Sequence, residues 1–409
     1  MLFHKNKLKE FNKKFNEPYG EISNTGKYNT ILSKNYSLGM DCEKTSKNNN
    51  ILILGGNGTG KERCFAIPNL LKANSSYVVI DDDEIYETYK DYFVKEGYRI
   101  KLFNLVDVEN HNFSYNPFTY IKCDMDVEEL TQCIISGDLK SAEGLLLESL
   151  IFYLVKYRKK EDQNFTSVLK LLNAITDKKS PVDCLFDEVE QHDARSIALK
   201  YYKAFKMKNS EDRKEAIKKL KALIGLIENI TKTDNLELEK LGDEKTILFI
   251  KRAPIDDTYY FIMTSLINQA INTLREYSYK KKLTYHCRFI LTDFIGLMEV
   301  PHLGSKMSSL YKYNMSCCIC EKSITCLREI YKEETEKIIK ACDTVLFFGS
   351  SDPETYKYIF ERVKEGNNSS IHKKKDTNIK DIEDISRMSN NKCIILIKEL
   401  GPIIDDKNW

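Results

Sequence analysis

Apolar residues along the chain fall into two spacings, and the way these alternate predicts the fold. Unbroken apolar runs at residues 51–54 and 77–80 are of strand length and lack polar alternation, so they predict strands of a parallel sheet buried on both faces, and 98–103, where Arg99 and Lys101 interrupt the apolar residues, predicts a third strand. Helical spacing over residues 61–73 and 86–96 separates them, which gives the strand–helix–strand rhythm of an α/β fold. Pro68 falls inside the first of these helices and predicts a kink or a division there. From Met125 to about Asp234 the rhythm stops, and apolar positions recur at helical spacing over 127–135, 142–159, 165–174, 194–205 and 210–229, joined by polar links. Strand-like runs return at 246–250, 287–292, 316–320, 344–348 and 392–397, with a long helix at 258–276. The expected architecture is a mainly parallel α/β domain built from residues 19–124 and 235–409, with an all-α domain, 125–234, inserted in it.

Outside these elements, glycines and asparagines between Tyr19 and Asn48 predict loops around a short strand near residues 30–32. Residues 364–379, with Gly366, Asn367, Asn368 and three consecutive lysines, predict a mobile loop. Residues 1–18 set Lys5, Lys7, Lys9, Lys13 and Lys14 between Leu2, Phe3, Leu8, Phe11 and Phe15, a helix with one basic and one apolar face. Such a helix can lie on an anionic membrane or a partner; the ordinary reading is a surface helix packed on its own domain.

Composition narrows the classes. With 409 residues, 42% of them hydrophobic, the chain can bury two cores, and 63 basic against 61 acidic residues leave a net charge of only +2. Any contact with DNA must therefore come from a local patch. The lysine runs at 280–282 and 373–375 are short, and such runs are usually solvated. Twelve cysteines without a secretory signal are expected to be reduced thiols of a cytoplasmic protein, at most peripheral at the inner face of the plasma membrane. The longest apolar stretch, 145–155, is broken by Glu148 and too short to span a bilayer.

The chemistry concentrates after the first buried strand, in Gly55-Gly56-Asn57-Gly58-Thr59-Gly60-Lys61-Glu62. The spacing Gly-x-x-x-x-Gly-Lys is that of a P-loop, whose glycines let backbone N–H groups fold around a phosphate while the lysine reaches the β- and γ-phosphates. Candidate nucleotide-binding residues are accordingly Gly55, Gly58, Gly60, Lys61 and Glu62. Glu62 departs from the motif, for it puts a carboxylate where a Ser or Thr hydroxyl would join Mg²⁺, beside the charges of a triphosphate. Weak ATP binding is expected and Mg²⁺ binding is doubtful; the competing reading is a glycine turn that holds no ligand. The acidic run Asp81-Asp82-Asp83-Glu84 ends the second strand, where α/β sheets bind ligands; it can hold a cation or repel phosphates. Cys317, Cys318, Cys320 and Cys326 are close in sequence, but alternate residues of a strand face opposite ways and no second Cys-x-x-Cys completes a ligand set, so core cysteines and no metal are expected. The six histidines are scattered and form no ligand or triad spacing.

The chain resembles the conjugative coupling proteins of type IV secretion systems, the TraG-like DNA transfer ATPases, in their Gram-positive form. The resemblance rests on the residues from Ile53 through Lys61, on Pro68-Asn69-Leu70-Leu71, Gly97-Tyr98, Phe103-Asn104-Leu105 and Tyr115-Asn116-Pro117-Phe118, and on Leu238 through Thr246, Cys342-Asp343-Thr344 and Leu346-Phe347-Phe348-Gly349. It implies a RecA-like P-loop NTPase fold with an inserted all-α domain, a hexameric ring, ATP as cofactor, and secretion-channel proteins, relaxosome proteins and DNA as partners. Against the family pattern, Asp-Glu-Phe after an apolar strand is here Thr292-Asp293-Phe294. Thr292 cannot supply the metal-side carboxylate, and Asp293, the candidate catalytic residue, is one methylene short for a base that must reach a water. Tyr311 and Tyr313 replace expected arginines, Lys322, Ile324 and Cys326 replace a glutamine-rich stretch, and Asp81 to Glu84 replace Asp-Pro-Lys-Gly-Glu. Two functions follow: a coupling-protein-like P-loop protein with weak or no hydrolysis, or a non-catalytic paralogue that binds or regulates an active coupling ATPase.

Overall fold

The computed structural model describes residues 28–81, 85–108, 113–135, 137–176, 179–252, 257–292, 299–368 and 379–408. The basic segment 1–18, Asp293, Asp82 to Glu84 and most of the loop expected at 364–379 lie outside them. The core is one nine-stranded sheet in the order β11-β10-β9-β3-β8-β7-β4-β6-β5. Its strands are β3 (Ile51–Leu54), β4 (Ser76–Asp81), β5 (Arg99–Asn104), β6 (Thr246–Lys251), β7 (Cys287–Leu291), β8 (Met315–Glu321), β9 (Thr344–Phe347), β10 (Lys392–Ile397) and β11 (Ile403–Asp406). From β9 to β5 every pairing is parallel, while at one edge β10 pairs antiparallel with both β9 and β11. A separate hairpin of β1 (Asn29–Ile31) and β2 (Ser37–Gly39) precedes the sheet.

Parallel pairing explains why the apolar runs are unbroken, since successive side chains feed two different cores. Leu52, Leu54, Val78, Ile80, Leu248, Ile250, Phe289 and Leu291 pack on one face with the helical insertion. Ile51, Ile53, Tyr77, Val79, Ile247, Phe249 and Ile290 pack on the other with Cys64, Phe65 and Leu70 from the helix after the glycine loop. The cysteines of β8 divide as their parity requires, Cys317 in the first core and Cys318 and Cys320 in the second.

Between β5 and β6 the α-helices among the described residues are Asp124–Ile135, Ala142–Tyr157, Phe165–Ala174, Pro181–His192, Ile197–Lys206 and Ser210–Ile227. The helix Pro181–His192 falls where the sequence reading placed a polar link. Its proline stands in the first turn, where no backbone donor is needed, and Ser180 and Asp183 form a reciprocal capping box in front of it. These helices are joined to the later part of the chain by a buried polar node. Lys306 Nζ lies 2.9 Å from Glu129 Oε2 and donates to Asn268 Oδ1 at 2.6 Å, while Asn268 and Asn272 donate to the same Glu129 oxygen at 2.9 and 2.7 Å. Removing one partner of so buried a pair typically costs about 3–5 kcal/mol, because the other charge is left unpaired.

The helix after the glycine loop, expected to kink or divide at Pro68, changes character within its first turns. Glu62–Ala66 is one π-helical turn, with the Ile67 N–H donating to the Glu62 carbonyl, and Ile67–Leu71 continues as α-helix. Pro68 has no N–H to offer the Cys64 carbonyl, and the Asn69 side chain instead donates to the Phe65 carbonyl at 2.8 Å.

Candidate nucleotide site

The glycine loop leaves the carboxyl end of β3, between β9 and β8, the edge at which parallel α/β sheets bind ligands. Two hydrogen bonds fasten its start: the Gly55 N–H donates to the Glu321 carbonyl and the Gly56 N–H to the Gly349 carbonyl, both at 2.9 Å. Gly58 and Gly60 have φ of +72° and +90°, in the left-handed region that strains any residue with a Cβ. Gly55 is required for room instead, since a Cβ there would stand 2.4 Å from Thr59 Oγ1. That hydroxyl donates across the loop to the Gly56 carbonyl at 2.8 Å. Lys61 is buried, and its ammonium donates to the Gly55 and Gly56 carbonyls at 2.8 and 3.2 Å. Of the predicted nucleotide-binding residues, Gly55, Gly58, Gly60 and Lys61 thus lie in one loop, whose opening carbonyls hold the lysine head.

Glu62 begins the π turn beside that loop, half-buried, and no hydrogen bond or ion pair among the described residues engages its carboxylate. Its charge reaches the end of β8, where burial first and Glu62 next push the Cys320 thiol well above its ordinary range.

The groups at the metal side are committed elsewhere. Thr292, just past β7, is fully buried and donates its hydroxyl to the Ile80 carbonyl at 2.8 Å. Asp81, the described member of the acidic run, accepts the Ile85 and Tyr86 N–H groups at 2.8 Å on its two oxygens and so caps the helix Ile85–Lys95. Among the described residues, no group of three His, Cys, Asp or Glu side chains could hold a metal, and neither Thr292 nor Asp81 is free to join one. Tyr311 and Tyr313 lie in the 3₁₀ turn Leu310–Tyr313 before β8, at the end of the sheet remote from the loop. Lys322 is half-buried just past β8 at the loop end, while Ile324 and Cys326 are in the helix Ile324–Tyr331, where Cys326 N–H is taken by Ser323.

Two residues of this region escaped the sequence reading. Glu321 is a fully buried acid that ends β8 level with Leu54, and one of its oxygens accepts the Lys322 N–H at 2.6 Å. An acid closing an otherwise apolar strand was the available signal. Lys407 is buried and donates to the Thr59 carbonyl of the loop at 2.9 Å, a contact between residues 348 positions apart that no local pattern announces.

A mainly parallel sheet with a P-loop at the end of an interior strand, and a helical insertion between two later strands, is also the expectation that the resemblance carried. The family model for type IV secretory system conjugative DNA transfer matches residues 5–408. The chain belongs to that family. Among solved structures, the plasmid coupling protein TrwB in complex with a non-hydrolysable ATP analogue matches with a TM-score of 0.67 at 12% identity, over 93% of this chain and 89% of that one. TrwB with ADP and Mg²⁺ matches with a TM-score of 0.66 at 13% identity, over 88% and 84%. VirB4 of Thermoanaerobacter pseudethanolicus matches with a TM-score of 0.55 at 12% identity, over 93% and 96%. At these identities the likeness establishes the RecA-like P-loop NTPase fold of this coupling-protein family member. No curated protein sequence matches the chain. Among the described residues, no helix is long and apolar enough to cross a membrane.

Proposed function

We propose that this coupling-protein-like member of the conjugative DNA transfer family binds ATP weakly through its phosphate loop, with little need for Mg²⁺, and hydrolyses it very slowly or not at all. The observation that carries this reading is the pairing of a closed glycine loop around Lys61 with Glu62 as the next residue. Bound nucleotide would supply a triphosphate; Gly58, Gly60 and Lys61 would hold it, while Glu62 would oppose it. The commitment of Thr292 to Ile80 and of Asp81 to a helix cap supports a deficient metal side, and Asp293 is a short replacement for the family's base. Losing one well-placed acid–base group commonly slows a reaction by about 10²-fold or more.

Such a protein would work at the secretion channel or relaxosome, with DNA, in a homo- or hetero-oligomeric ring, in the cytoplasm and peripherally at the membrane's inner face. The same commitments favour, as a second reading, a non-catalytic paralogue that binds and regulates an active coupling ATPase. Titration calorimetry with ATP and ADP, with Mg²⁺ and with a chelator, tests the nucleotide reading. Weak binding that the chelator leaves unchanged is expected; no binding up to millimolar nucleotide would make the loop a structural turn.

A further inference from the structure

The phosphate loop is held from below by a cation far away in sequence. Lys407 directly follows β11, at the antiparallel edge of the sheet, and its ammonium donates to the carbonyls of Thr59 at 2.9 Å and Phe348 at 2.8 Å and to Asn390 Oδ1 at 3.3 Å. Its own N–H donates to the Asn391 carbonyl at 2.8 Å, and its head stands 5.3 Å from the centre of the Phe348 ring. The side chain is 1% exposed. Burying an ammonium is costly, and this one is stabilised chiefly by two backbone carbonyls, one from the loop and one from the segment after β9.

The carbonyl it holds matters most. Thr59 sits between Gly58 and Gly60, the two left-handed residues of the loop. In a trans peptide the carbonyl and the next N–H point in opposite directions, so fixing the Thr59 carbonyl toward Lys407 fixes the Gly60 N–H away from it. We propose that Lys407 is a positioning residue for the phosphate loop: through the Thr59 carbonyl it sets the direction of the Gly60 N–H, and so couples the β10–β11 edge to phosphate binding. This rests on the reading of Gly55–Lys61 as a phosphate loop. The segments it ties are already linked, since the Gly56 N–H donates to the Gly349 carbonyl and the Phe348 N–H to the Leu54 carbonyl. Lys407 adds the third strut, from the sheet edge. Burial holds its pKa below the ordinary lysine value, and the neighbouring Cys64 and Cys393 thiols work the other way.

The test is amide hydrogen exchange of the full chain without nucleotide, comparing wild type with Lys407→Met, which keeps the stem and removes the donors, and with Lys407→Gln, which keeps a shorter neutral donor. The expected result is at least tenfold faster exchange in the peptide covering 55–62 of Lys407→Met and a smaller increase in Lys407→Gln, with β3, β7 and β8 unchanged. ADP affinity of Lys407→Met should fall about tenfold. Unchanged loop exchange, or an equal loss of protection across the whole sheet in both variants, would overturn the proposal. Should wild type bind no nucleotide while its loop still loosens in the variants, the tether stands and the nucleotide reading fails.

Discussion

At the loop, one residue decides more than its neighbours. On the proposed reading, Glu62 stands where the family has a hydroxyl for Mg²⁺ and would add a unit charge beside bound phosphates; two such charges about 4 Å apart interact by about 4 kcal/mol at an effective dielectric near 20, before screening reduces it at a half-buried position. Glu62→Thr is therefore expected to tighten ATP binding at least tenfold and to create a Mg²⁺ dependence, both read by calorimetry. Hydrolysis should stay absent, because the Thr292 hydroxyl remains bound to Ile80. Unchanged affinity and metal dependence would show that the Glu62 carboxylate faces away from the phosphates. The glycines, Lys61 and Glu62 were legible because a P-loop is a local arrangement with fixed spacing. Lys407 was not, since its contacts exist only after β10 and β11 bring the chain back to the loop, and Asp81, read with its run as a cation holder or phosphate repeller, caps a helix whose Ile85 and Tyr86 N–H groups are evident only once that helix is in place.

Among the elements, the buried strands could be read from the chain because parallel pairing makes both faces apolar, and β3, β4 and β6 lie within two residues of the expected runs. Shorter pieces were lost: β2 and β11 are three and four residues long, and β11 ends in two acids that accept Ser33, Asn35 and Lys392. The helix Ala142–Tyr157 shows a different kind of exception. Glu148, which interrupts the chain's longest apolar stretch, is 1% exposed and both its oxygens are without a hydrogen bond among the described residues. Burial first, and Glu128 next, push its carboxyl up to about 7. An acid whose folded pKa is raised keeps its proton in the folded state between about 4.5 and 7 while the unfolded chain has released it, so its penalty is absent below that window and grows as pH rises through it. Glu148→Gln should thus have nearly wild-type stability at pH 4.5 and exceed it above pH 7, by at most about 3 kcal/mol. Denaturant unfolding of both proteins at several pH values checks this, and a gap that does not change with pH would mean that Glu148 finds a partner.

For the molecule as a whole, strand order is the part that no run of residues encodes. The placing of β8 beside β3 and of β6 between β4 and β5 rests on pairings more than a hundred residues apart in sequence, and only the family resemblance anticipated such a core. That order places the glycine loop, Glu321 and Thr292 along one carboxyl edge and leaves Tyr311 and Tyr313 at the opposite one, so the drift of the family's chemical positions is spread over both ends of the sheet. The chain keeps the RecA-like P-loop NTPase fold of its family, and the proposed function holds that ATP turnover has been lost on it. Steady-state ATP hydrolysis by the purified full chain, with and without single-stranded DNA and beside Lys61→Ala, measures this directly. A rate indistinguishable from that of Lys61→Ala under both conditions is predicted; turnover on the order of one per second that disappears in Lys61→Ala, well within the range of working enzymes, would contradict it.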